Sequence, residues 1–267
     1  MTELPPPIAE FDVTIWRGAP EPGSRVLPEE TAVAITYERS TFAVMMASPS
    51  DLRDFALGFS LSEGIICSAS DITTLEVLAL PDGIECRMAL SSARGLALEK
   101  RRRRMTGPIG CGLCGMDSLA EATRAPAEVT AALRLSPAEI QTAMSRLGEL
   151  QRLNRQTRGV HAAAFYQPGT GDITLREDVG RHNALDKLIG AVSKASIPGA
   201  AGAVLLTSRL SIELIQKTAM LGAGILVAIS VPSARAVREA QAAGITLVAV
   251  ARPDGFEVFS HPERIAF

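Results

Sequence analysis

The densest local chemistry in the chain is Gly110-Cys111-Gly112-Leu113-Cys114-Gly115, two thiols separated by two residues, with a further glycine at 107. Thiolates are strong nucleophiles and soft metal ligands. Three chemistries use such a pair. Half of a zinc site would need a second pair of ligands, and the other cysteines, Cys67 and Cys86, stand apart in apolar or strand-like contexts that read as inert core thiols. A thioredoxin-like redox pair belongs between a strand and a helix of a small βαβ unit. A carrier thiol, holding a group such as a persulfide sulfur, suits an irregular loop whose glycines let it reach different partners. The surroundings of Cys111 and Cys114 favour the third. The run Lys100–Arg104 precedes the pair. Such a run is most often a solvated face, but cations near a thiol favour the thiolate and attract acidic partners or a diphosphate.

A second concentration of polar groups is Arg176-Glu177-Asp178-Val179-Gly180-Arg181-His182-Asn183-Ala184-Leu185-Asp186-Lys187. It bridges a predicted strand end and a helix start, where ligands bind in α/β sheets. The plainer alternative is a salt-bridged helix start. Ser208-Arg209-Leu210-Ser211 follows a predicted buried strand and opens a helix. Amides, hydroxyls and an arginine there suit a phosphate, although helix capping alone would also explain the serines. Val250-Ala251-Arg252-Pro253-Asp254-Gly255 leaves the carboxyl end of another predicted strand. His161 and His261 read as ordinary histidines.

The elements that must position these groups follow from periodicity. Residues 11–16, 31–37 and 41–47 read as short strands. Leu52, Phe55, Ala56 and Phe59 predict a helix over 51–63, with Ser50 as cap and Gly64 as terminator. Residues 75–80 and 84–90 form a hairpin around Pro81-Asp82-Gly83. Residues 93–125 fit no regular pattern. Ser136-Pro137-Ala138-Glu139 is a capping box opening a helix to about Leu153. Beyond it, strands at 162–167, 172–178, 203–207, 225–230, 245–250 and 256–260 enclose helices at 182–194, 211–222 and 234–242. That alternation implies crossovers and a largely parallel sheet. The expected fold class is α/β, with a β-rich N-terminal domain over 10–125 and a C-terminal α/β domain over 126–267.

Composition narrows the function. The 267 residues are 47% hydrophobic with a net charge of −2, a globular chain. The near-neutral balance argues against a general nucleic-acid binder. Four cysteines are too few for a disulfide scaffold, which suggests a reducing compartment. The N-terminus lacks a basic and then apolar signal pattern. The apolar run Ala219–Ile229 is too short to span a bilayer. The expectation is a cytoplasmic protein with no membrane segment.

The chain closely resembles the FdhD family, the formate dehydrogenase accessory sulfurtransferases, from about residue 10 to residue 265. The segments that carry the resemblance are DFALGFSLSEGII (54–66), GCGLCG (110–115), QTRGVHAAAF (156–165), EDVGRHNALDKLIG (177–190), SRLSIELIQK (208–217) and GITLVAVARPDGFEVFSHPERI (244–265). The resemblance implies a C-terminal three-layer fold similar to cytidine deaminases. It implies a persulfide sulfur taken from a cysteine desulfurase and passed to the bis-guanine-dinucleotide molybdenum cofactor, a bound substrate destined for formate dehydrogenase. GDP is then an analogue of half that cofactor, and a homodimer is the expected assembly. By position Cys111 matches the persulfide cysteine and Cys114 its companion. Val250, Ala251, Arg252, Pro253, Asp254 and Gly255 match the cofactor-binding strand-turn. Asp254 and Gly255 stand where many members have glycine and a basic residue. Arg181, His182, Ser208, Arg209 and Arg252 are the candidates for diphosphate or guanine contacts. Two rival functions compete with this one. Zinc deaminases need His-x-Glu ahead of Pro-Cys-x-x-Cys, whereas His161-Ala162-Ala163 lacks the glutamate and the CxxC lies before it. A chaperone that only delivers the cofactor would not need Cys111 chemically.

Overall fold

The computed structural model describes residues 3–102 and 128–267. The expected domain boundary near residue 125 lies outside them.

The first strands are β1 (Ile8–Trp16) and β2 (Pro20–Pro28), an antiparallel two-stranded ribbon. The sequence predicted no strand over 20–28, because Pro20, Pro22 and Pro28 each lack a ladder donor. A ribbon with two edges tolerates them, since such an N–H position can face outward. Next come β3 (Thr31–Tyr37), β4 (Ser40–Ala47), β5 (Ile72–Leu80) and β6 (Gly83–Leu90), a sheet of order β4-β3-β6-β5. Only the central β3–β6 pair is parallel.

Helix α1 (Leu52–Ser62) crosses from β4 to β5 and is buried nearly all round. Leu52, Phe55, Ala56 and Phe59 pack on the sheet with Val33, Ile35, Cys86 and Met88. Asp51, not Ser50, occupies the cap position, in a left-handed conformation and without a side-chain capping bond. Helix α2 (Ser92–Arg102) replaces the irregular start expected from residue 93. The segment is rich in Ala, Leu and Arg, all good helix formers, and lacks only a clean apolar stripe.

The second unit holds the six-stranded sheet β12-β11-β10-β9-β7-β8. Its strands are β7 (His161–Gln167), β8 (Asp172–Asp178), β9 (Ala203–Leu206), β10 (Ile225–Ala228), β11 (Thr246–Arg252) and β12 (Gly255–Ser260). Alternation divides it into two cores. Ala163, Phe165, Val204, Leu206, Leu226, Ala228 and Leu247 face α5 (Arg181–Lys194), α6 (Ile212–Leu221) and α7 (Ala234–Ala242). Ala162, Ala164, Ala203, Leu205, Ile225, Val227 and Val248 face α3 (Pro137–Leu150). This is the expected three-layer α/β arrangement.

Ser136 caps α3 as predicted, its Oγ accepting from the Glu139 N–H at 3.3 Å while Glu139 accepts the Ser136 N–H at 2.8 Å. The helix stops at Leu150 rather than Leu153, because Gln151 leaves helical geometry before the short α4 (Arg152–Thr157) begins.

The two units meet through α1 and α5, which run antiparallel. Gly58 and Gly190 make the approach possible. A Cβ on Gly58 would collide with the Asp186 carbonyl, and one on Gly190 with the Asp54 carbonyl. Among the described residues no helix is long and apolar enough to cross a membrane.

Candidate functional site

Strands β9, β10 and β11 are parallel, and β7 is antiparallel to both β8 and β9, so β8 runs with them. The carboxyl ends of four strands therefore share one edge, the ligand-binding side of an open α/β sheet. Arg181 and His182 follow β8, Ser208 and Arg209 follow β9, and Val250–Gly255 spans the end of β11 and the start of β12. The topology brings these predicted groups to one edge. Cys111 and Cys114 lie outside the described residues.

The loops on this edge are stitched together. The Leu210 N–H donates to the Val231 carbonyl at 3.2 Å, Ser233 N–H to Leu210 at 2.9 Å, and Val250 N–H to Ser230 at 3.3 Å. Val250 has φ 53°, uncommon for a β-branched residue. The register between β11 and β12 shifts between Ala249 and Arg252, so the strand bulges here. Ala249 and Val250 both lie against the helical core on one face, and Ala251 joins the opposite core. The bulge leaves Arg252, Pro253 and Asp254 exposed, and Gly255 at φ 157° takes a conformation suited to glycine. Arg209 is exposed as well, so the edge offers cations from two loops. Ser208 is 3% exposed and its hydroxyl donates to the Arg209 carbonyl at 3.1 Å, a contact within the loop.

His182 begins α5 with its Nε2 3.4 Å from Ser211 Oγ and 3.9 Å from Glu213 Oε2. Burial, and then the charge of Arg181, lower its pKa to about 4, so the imidazole is neutral at neutral pH. His161, unremarkable in sequence, opens β7 on the same edge, and burial and Arg181 lower its pKa too. Glu213 was also missed. Its position in the first turn of α6 reads simply as favourable to the helix dipole.

The rest of the 176–187 segment serves the fold. Asp178 and Lys187 form a 2.6 Å ion pair with neither side chain exposed. Asp178 also accepts from Ser48 N–H at 3.0 Å and Gly180 N–H at 2.7 Å, and Lys187 donates to the Ser48 carbonyl at 2.9 Å. Asn183 donates to the Met46 carbonyl at 2.8 Å. Glu177 caps α4, accepting from Leu153 and Asn154 N–H at 2.8 Å each. On α6, Lys217 holds Asp186 at 2.9 Å, Ser62 at 2.8 Å and Glu63 at 3.1 Å. Burial opposes the Lys217 charge, but Asp186 and Glu63 overcome it and raise the pKa.

Cys86 and Cys67 were both expected to be inert core thiols. Cys86 is buried in β6, and burial pushes its thiol up to about 12. Cys67 is exposed. It follows the buried pair Ile65–Ile66 and begins a turn in which Asp71 accepts the Cys67 N–H at 2.8 Å, which carries its side chain off the core.

Fold and edge together define a three-layer α/β protein joined to a smaller sheet unit, with a cation-bearing rim built from strand-end loops. The chain belongs to the FdhD/NarQ family, whose model it matches over residues 28–266. It is 50% identical over 249 residues to the sulfur carrier protein FdhD of Agrobacterium fabrum, covering 93% of this chain and 92% of that one. It is 44% identical over 262 residues to the protein of the same name from Cupriavidus necator, covering 98% and 91% respectively. The crystal structure of a "putative formate dehydrogenase accessory protein" from Desulfotalea psychrophila superposes with a TM-score of 0.75 at 26% identity, covering 97% of this chain and all of that one.

Proposed function

We propose that this protein is a sulfurtransferase that carries sulfur for the maturation of formate dehydrogenase. Cys111 receives a persulfide sulfur from a cysteine desulfurase. Its thiolate attacks the outer sulfur of the donor persulfide, a new S–S bond forms at Cys111, and the donor's thiolate leaves. The sulfur then passes to the bis-guanine-dinucleotide molybdenum cofactor, held as substrate at the carboxyl edge of the six-stranded sheet. The protein works in the cytoplasm, as a homodimer.

The observation that carries this reading is the gathering of Arg181, His182, Arg209 and the Val250–Gly255 turn on one edge, in a chain that also contains the Cys111–Cys114 pair. A thiol pair alone would serve many chemistries. A rim of arginines suits a diphosphate-linked cargo. The relatives' name, sulfur carrier, agrees with that combination.

Incubation with a cysteine desulfurase and cysteine, followed by peptide mass spectrometry, tests the first step. The added sulfur is expected on Cys111, with Cys86 unmodified because its thiol is buried and kept protonated. Cys111→Ala abolishes formate dehydrogenase activation in a cell and leaves GDP binding intact. Sulfur found instead on the exposed Cys67, or a fully active Cys111→Ala protein, would sink the mechanism and leave a cofactor-delivering chaperone.

A further inference from the structure

Among the described residues, two buried side-chain atoms at the carboxyl edge have no hydrogen-bond partner, Arg181 Nε and Glu213 Oε2. An unpaired buried carboxylate oxygen is costly, and its cost disappears when a ligand supplies a donor. The other carboxylates near this edge are occupied or open to water. Asp178 is held by Lys187, Ser48 and Gly180, and Glu177 caps a helix. Glu63 is bound to Lys217, and Asp254 is exposed in the β11–β12 turn.

Glu213 Oε2 lies 3.9 Å from His182 Nε2, beyond hydrogen-bond reach. An ion pair between them would require a protonated imidazole. Burial keeps His182 neutral down to about pH 4, so in the cell Glu213 faces a neutral ring. Nearby positive charge comes from Arg181 and from Lys217, which is already committed to Asp186. Among the described residues Glu213 is therefore an acceptor without a donor, beside a cationic rim.

A carboxylate repels phosphate, so the ligand group it serves is a neutral one with hydrogen-bond donors. Guanine carries two adjacent donors on one edge, N1–H and the N2 amino group, which two carboxylate oxygens can accept together. Adenine offers an acceptor at N1 instead. We infer that Glu213 is the residue that selects guanine, accepting from N1–H and the N2 amino group while the arginines of the rim take the diphosphate. This rests on the nucleotide-binding reading above and adds to it the group that sets base specificity.

Calorimetry with GDP, IDP and ADP on the full-length protein tests it. IDP lacks only the N2 amino group. The wild-type protein is expected to bind GDP roughly 10-fold more tightly than IDP, and ADP more weakly still, as for loss of hydrogen bonds to a charged group. Glu213→Gln, with an unchanged melting temperature, lowers GDP affinity roughly 10-fold to 100-fold. It also brings GDP and IDP to within about twofold of each other. Equal binding of GDP and IDP by the wild-type protein would overturn the assignment without any variant. So would a Glu213→Gln protein that still discriminates. Absence of GDP binding altogether would instead remove the nucleotide reading and this inference with it. A loss of 2′-deoxy-GDP affinity matching the Glu213→Gln loss would place the carboxylate on the ribose and reject the base.

Discussion

Asp178 and Lys187 meet at 2.6 Å with both side chains fully buried, and each reaches across to the backbone of Ser48 in the other unit. The pair joins the first sheet to the end of β8, the strand that delivers Arg181 and His182 to the edge. Removing one partner leaves a charge in an apolar interior, which costs far more than the intact pair contributes. Lys187→Met is expected to lower unfolding free energy by about 3–5 kcal/mol in a urea titration. A loss below about 1 kcal/mol would mean that water or another cation reaches Asp178.

The close crossing of α1 on α5 depends on two residues without a Cβ. Gly190→Ala drives a methyl group into the backbone of Asp54, which has no flexible end that could move aside. The expected cost is about 3 kcal/mol or more, at the high end for overpacked sites. Gly95→Ala is the control, since its Cβ would meet nothing within 4 Å. Equal melting temperatures for the two variants would show that the helices can separate without penalty.

His182 supplies a pH dependence with a definite sign. Its pKa falls from an ordinary 6.5 to about 4 on folding, so below pH 6.5 the unfolded chain binds a proton that the folded protein refuses. Its contribution to stability is complete above about pH 6.5 and is lost as the pH drops toward 4. His182→Gln should flatten that part of the curve, losing fewer degrees of melting temperature between pH 7 and 4.5 than the wild type. Parallel curves would show that His182 titrates normally in the folded protein.

Arg252 stands exposed just past the bulge at Val250. If the β11–β12 turn holds the diphosphate, Arg252→Ala weakens GDP binding by about 1.5–3 kcal/mol, the range for a hydrogen bond to a charged group. The melting temperature without ligand stays put, because the side chain makes no hydrogen bond or ion pair among the described residues. Unchanged GDP affinity by calorimetry would take Arg252 out of the site.

Local pattern determined much of this protein. Period-two and period-3.6 runs located most strands and helices, and Ser136 and Glu139 marked the start of α3 because a capping box is complete within four residues. The succession of strands and helices after residue 160 was enough to imply a layered α/β unit and to put the candidate groups after strand ends. The family resemblance was legible in the same segments. Partnerships across the chain were not. Asp178 looked like a site residue because nothing local reveals that Ser48, 130 positions away, donates to it. Lys187 and Asp186 belonged to the same segment, read as a ligand site or a salt-bridged helix start, for the same reason. Their burial depends on which helix lies on which, and the Gly58–Gly190 approach decides that. His161 and Glu213 came to the edge only when β7 took its place between β8 and β9 and α6 began beside α5. Short-range order follows from backbone geometry repeated every few residues. The meeting of distant side chains follows from sheet order and helix packing, which no window of sequence contains.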